Sequence, residues 1–120
     1  MQFPVEPIAP GYDAPLAIAY PNAFADAVSL DSGVLVAQFR AHVDAAETLF
    51  EARSDNGSIS VVRGATETAV TVTLPAAATA LMAPDSSVVF DFVRVEGAAK
   101  DVVPGLWRWP VRKSVTRNVS

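Results

Sequence analysis

The 120-residue sequence contains no cysteine. That excludes a disulfide framework, a thiol nucleophile and cysteine metal sites together, so stability has to come from packing. Charge is also scarce: 18% of the residues are charged against 51% hydrophobic. Apolar or weakly polar surface is therefore expected outside after folding, and such surface usually meets a partner. No run approaches the ~20 apolar residues of a membrane span, so no membrane partner is expected. The only histidine is His42, and no serine stands in a Gly-x-Ser-x-Gly turn, which leaves a Ser-His-Asp triad without its parts. Met1-Gln2-Phe3-Pro4-Val5-Glu6-Pro7 lacks a basic region followed by an apolar segment, so it does not read as a secretion signal.

The length fits one domain with a single core. Net charge is -4 and the sequence pI about 4.7, which argues against nucleic-acid binding driven by phosphate contacts. The charge is unevenly placed. Residues 102–120 hold no acid, but Arg108, Arg112, Lys113 and Arg117 lie there, leaving 13 acids against the other five bases in the rest of the chain. The basic end is either solvated or an electrostatic contact for an acidic neighbour.

Along the chain, Pro4, Pro7 and Pro10 space the apolar Phe3, Val5 and Ile8 in an extended arm over residues 1–14, because proline cannot donate to a central ladder. The arm is expected to lie on a neighbouring subunit, with a β-domain over 15–120. Leu16 to Tyr20 alternates as a short strand stopped by Pro21, and Ala23 to Ser32 reads as a loop ending in Asp31-Ser32-Gly33. Val34 to Ala41 puts Leu35, Ala37, Phe39 and Ala41 on a buried face and Gln38 and Arg40 on the other. Thr48 to Arg53 turns Phe50 and Ala52 inward, and Asn56-Gly57 has the chemistry of a tight hairpin. Ser58 to Val61 and Glu67 to Leu74 alternate clearly, with threonines on the wet face. Pro75 to Met82 changes period, predicting one short helix that crosses between sheets. Val88 to Val95 is apolar on both faces, as in a central strand; Glu96 to Lys100 is its turn, and Leu106 to Val111 with Arg112 to Arg117 gives one or two strands bent or broken at Pro110. The sum is an all-β chain, an antiparallel β-sandwich or flattened barrel of about seven to eight short strands with one short helix.

Candidate chemistry is thin. His42, Asp44 and Glu47 offer ligand atoms in one loop, where such residues are ordinarily solvated, and no spacing singles out a carboxylate pair. No catalytic, cofactor or metal residue is assigned. Trp107 and Trp109 share one face of a strand. They are either a sugar-stacking platform or interface anchor, or the closure of one end of the core.

The order of segments resembles a group of small β-domain proteins of tailed phages and prophages, found among tail-fibre, baseplate and head-attached components. The resemblance runs from Gly11-Tyr12-Asp13-Ala14-Pro15-Leu16 through the strand Val34 to Arg40, then Val72 to Leu81 as strand and helix, Val89-Phe90-Asp91-Phe92, and Val115-Thr116-Arg117. It implies an assembly module of the virion, made in the host cytoplasm, with no enzyme activity and no cofactor. The expected role is a homo-oligomer on a larger phage capsid or tail protein, as a decoration, spike, tail-fibre or baseplate component. Its candidate interface residues are Phe3, Val5, Ile8, Trp107, Arg108, Trp109, Arg112, Lys113 and Arg117. The alternative is a module that binds a glycan or cell surface through Trp107 and Trp109.

Overall fold

A computed structural model describes residues 7–30 and 32–112. Strands β1 (Ala14–Pro21), β2 (Val34–Phe39), β3 (Phe50–Arg53), β4 (Ile59–Arg63), β5 (Glu67–Leu74), β6 (Ser86–Glu96) and β7 (Ala99–Val111) are joined by loops and two short helices, α1 (Asn22–Ala27) and α2 (Ala76–Thr79). They form a three-stranded sheet in the order β1-β5-β4 and a four-stranded sheet in the order β3-β2-β6-β7, with antiparallel pairing throughout. The fold is an all-β sandwich.

Period-2 alternation sets the inner faces. In the first sheet Leu16 opposes Val72 and Ile18 opposes Val70, and all four are buried. In the second, Leu35, Ala37 and Phe39 of β2 face inward beside Phe90 and Phe92 of β6. Phe90 is the hub. Its ring lies 4.3 Å from Phe39, 5.7 Å from Phe92 and 6.3 Å from Trp109, centroid to centroid. Fully burying each such ring contributes roughly 1.5–3 kcal/mol, so this cluster is the four-stranded sheet's main contribution to the core it shares with Leu16, Ile18, Val70 and Val72.

The structure corrects several expectations. Asn22–Ala27, read as loop, is helical. The Asn22 side chain donates to the carbonyls of Gly64 and Ala65, and Phe24 stacks on Tyr20 at 5.1 Å, so tertiary contacts hold a helix too short to stand alone. Thr68 is not on the wet face: it shares parity with Val70, is buried, and gives its hydroxyl proton to Asn22 Oδ1 at 2.8 Å. Ala41 is exposed because β2 ends at Phe39. Asn56-Gly57 does turn the chain, with Gly57 at φ +86, but it links β3 of one sheet to β4 of the other and forms no hairpin. The proline-initiated α2 crosses between the sheets as its sequence predicts. Pro110 neither bends nor breaks β7: it opposes Ser87 in register. Its carbonyl points away from β6 to accept from Ile8, so its missing N–H falls on that outer side, where no ladder bond is lost.

The arm is corrected at Ile8. Ile8 is 1% exposed and belongs to the chain's own core. Its N–H donates to the Pro110 carbonyl at 2.9 Å and its carbonyl accepts from Arg112 N–H at 2.8 Å. Between two prolines, Ile8 keeps its own N–H and an apolar side chain, so it is the residue that caps β7. The segment is pinned again where Asp13 Oδ1 accepts from Ala76 N–H, and where Thr79 Oγ1 accepts from Gly11 N–H.

Candidate interaction surface

The outward face of the four-stranded sheet is the surface that departs from the usual pattern. In a sandwich the outer face of an antiparallel sheet is ordinarily polar. Here β2 directs Val34 and Val36 outward beside Gln38, because they share its parity, and β6 directs Val93 and Val95 outward. Val34 opposes Val95, Val36 opposes Val93, and Val93 opposes Val102 of β7. The valines thus form one apolar floor across β2, β6 and β7. The first four are half-buried, and Val102 is 64% exposed.

Polar groups rim this floor around a shallow depression of about 330 Å³. Glu51 accepts from Gln38 Nε2 at 2.9 Å and sits 3.7 Å from Arg53. Arg53 in turn donates to both carboxylate oxygens of Asp55, at 3.0 and 3.2 Å. That bond is the chief cause holding the Asp55 carboxyl below its ordinary pKa and raising that of Arg53. Asp91 and Lys100 line the same depression, and neither side chain has a hydrogen bond or ion pair with another described residue. Asp91 sits at the irregularity of the β6–β7 ladder, where Pro104, Gly105 and Leu106 together stand against it. Gly105 takes φ +123 there, a conformation that only glycine adopts at little cost.

Beyond Asp91 the next outward row is Arg40–Val89–Arg108. Arg40 donates to the carbonyls of Ala45 and Ala46 and to Gln38 Oε1. It ties the loop carrying His42, Asp44 and Glu47 to the sheet. Val89 is 3% exposed although it lies on the outer face, between the two arginines. Among the described residues no three His, Asp or Glu side chains are grouped as a metal site would need.

The sequence-derived candidates divide sharply. Trp107 and Trp109 do share a face, but it is the inner one: Trp109 is 4% exposed in the core, and Trp107 donates its indole N–H to the Tyr20 hydroxyl at 3.2 Å. Their rings close one end of the sandwich and form no open platform. Arg108 and Arg112 are exposed, with Arg108 donating to Ser87 Oγ at 3.2 Å. Ile8 is buried in its own chain. Phe3, Val5, Lys113 and Arg117, with Asp31 of the turn and the strand expected beyond Arg112, lie outside the described residues. Sequence reasoning passed over Val34, Val36, Val93, Val95, Val102, Asp91 and Lys100. The signal for four of them was present, since Val34 and Val36 alternate in phase with Gln38 and Arg40, and Val93 and Val95 with Asp91.

Comparison with family models, curated proteins and solved structures finds no match.

Proposed function

We propose that this chain is a structural protein of a tailed-phage virion, made in the host cytoplasm, that assembles with copies of itself on a larger capsid or tail protein. The observation that supports this reading is the valine floor on the outer face of the four-stranded sheet. A monomer that worked alone would leave this apolar area in water, at about 25 cal/mol per Å² that burial would recover. The segment order that resembles small phage β-domain proteins names the kind of particle, with head decoration, spike, tail fibre and baseplate as the locations it covers.

Mass spectrometry of purified phage particles, joined to localisation by cryo-microscopy, tests the role. The expected result is the chain at fixed stoichiometry on a capsid or tail surface. Absence from particles made by cells that express it would overturn the reading.

A further inference from the structure

Among the described residues, the outer face carries two charges of opposite sign without a side-chain partner, at opposite ends of its valine floor. Asp91 stands on β6; Lys100 stands on β7 opposite Val95, four residues further along β6. At ~3.3 Å per residue their rows are roughly 13 Å apart, with the row of Val36, Val93 and Val102 midway between them. This is the arrangement a self-complementary contact requires.

We infer that this face binds the same face of a second copy about a two-fold axis lying in the interface along the Val36–Val93–Val102 row. This inference rests on the assembly reading above and names the partner of that surface. A rotation about such an axis reverses the strand direction, so each Asp91 comes into the row of the partner's Lys100, one strand (~4.8 Å) to the side and within reach of that long side chain, while the valines on the axis row meet their own counterparts. The two sheets then stack about 10 Å apart with the floor sealed between them.

Four strands ~4.8 Å apart and rows spanning ~20 Å give a footprint on the order of 400 Å² per copy. That is about half of the ~800 Å² per partner in a stable interface, so the dimer is weak in solution. Copies held side by side on a scaffold gain the effective concentration that completes it.

Sedimentation equilibrium of the whole chain from ~10 μM to ~1 mM reads the contact, a range set by the weak affinity expected of so small an interface. The expected result is a monomer–dimer equilibrium with a dissociation constant inside that range. Asp91→Lys and Lys100→Asp should each weaken it about tenfold or more, because either change places like charges against each other twice. The double variant Asp91→Lys/Lys100→Asp should restore it. A chain that stays monomeric throughout, single variants that dimerise as the parent does, or a double variant as weak as the singles would each overturn the inference. Thermal melts of all variants confirm that they fold. Particle association without a solution dimer would sink this contact and leave the virion role standing; a charge-dependent dimer absent from particles would do the reverse.

Discussion

The indole Nε1 of Trp107 donates to the hydroxyl of Tyr20 across 3.2 Å, and the two rings meet edge to face at 6.2 Å. The pair joins β7 to β1, the edge strands of opposite sheets. Burial pushes the Tyr20 phenol above its ordinary pKa, and the bond from Trp107 opposes that rise. Trp107→Phe keeps a ring and removes the donor. Stability should fall by about 1 kcal/mol, measured by urea unfolding. The Tyr20 phenol should titrate still higher, followed by phenolate absorbance in a Tyr12→Phe background. A phenol raised in the folded state adds stability that is full below the unfolded value of ~10 and is lost as pH rises through the folded one. The variant should therefore lose more of its stability on the alkaline side.

Neighbouring side chains of β7 should differ widely in cost. Trp109→Ala opens the core beside Phe90 and should destabilise by roughly 3–5 kcal/mol. Arg108→Ala removes an exposed side chain and should change stability by no more than about 0.5 kcal/mol. Equal effects in denaturant titrations would contradict the inward assignment of Trp109.

Ile8 makes the described end of the arm part of the folding unit. Ile8→Ala should cost roughly 2–5 kcal/mol, as for other fully buried aliphatic side chains. Deleting residues 1–10 also removes two backbone bonds at the β7 edge and should lower the melting temperature more than Ile8→Ala does. A truncated chain that melts like the parent would show that this pairing contributes nothing.

Acid should loosen the clip between α1 and β4. Arg63 donates to both carboxylate oxygens of Asp26, at 2.6 and 3.2 Å, and that bond is the chief cause holding the Asp26 carboxyl below its ordinary pKa. A carboxyl depressed in the folded state adds stability above the unfolded value of ~3.9, and that contribution is lost as pH falls through the folded one. Asp26→Asn should flatten the acid limb of the stability profile in part, with Asp55 keeping its own contribution. Both carboxylates are exposed, so added salt should shrink the difference. An acid limb identical in the variant would remove Asp26 from the account.

Much of the architecture was legible because it is written within single strands. The alternation of Leu35, Ala37 and Phe39, or of Val70, Val72 and Leu74, shows which side chains turn inward before any partner strand is known. Pro75 followed by alanines announced α2. The same signal, Pro21 before Asn22-Ala23, was present for α1, but that helix depends on Gly64 and Ala65, some 40 residues away. Nor could the place of Ile8 be read. Prolines show that a segment is extended, yet whether Ile8 covers its own β7 or another subunit depends on a pairing with Val111, about a hundred residues away.

The outer face shows the same division most plainly. By itself, the sequence determined that Val34 and Val36 lie in phase with Gln38, that Val93 and Val95 lie in phase with Asp91, and that the chain carries too little charge to cover itself. Only the tertiary structure decided that β2 and β6 are neighbours, that their valines merge into one floor with Val102, and that Asp91 and Lys100 bracket it. Side-chain direction follows from the backbone of one strand, whereas adjacency requires closing loops of tens of residues against their entropy, a choice made by the whole core at once.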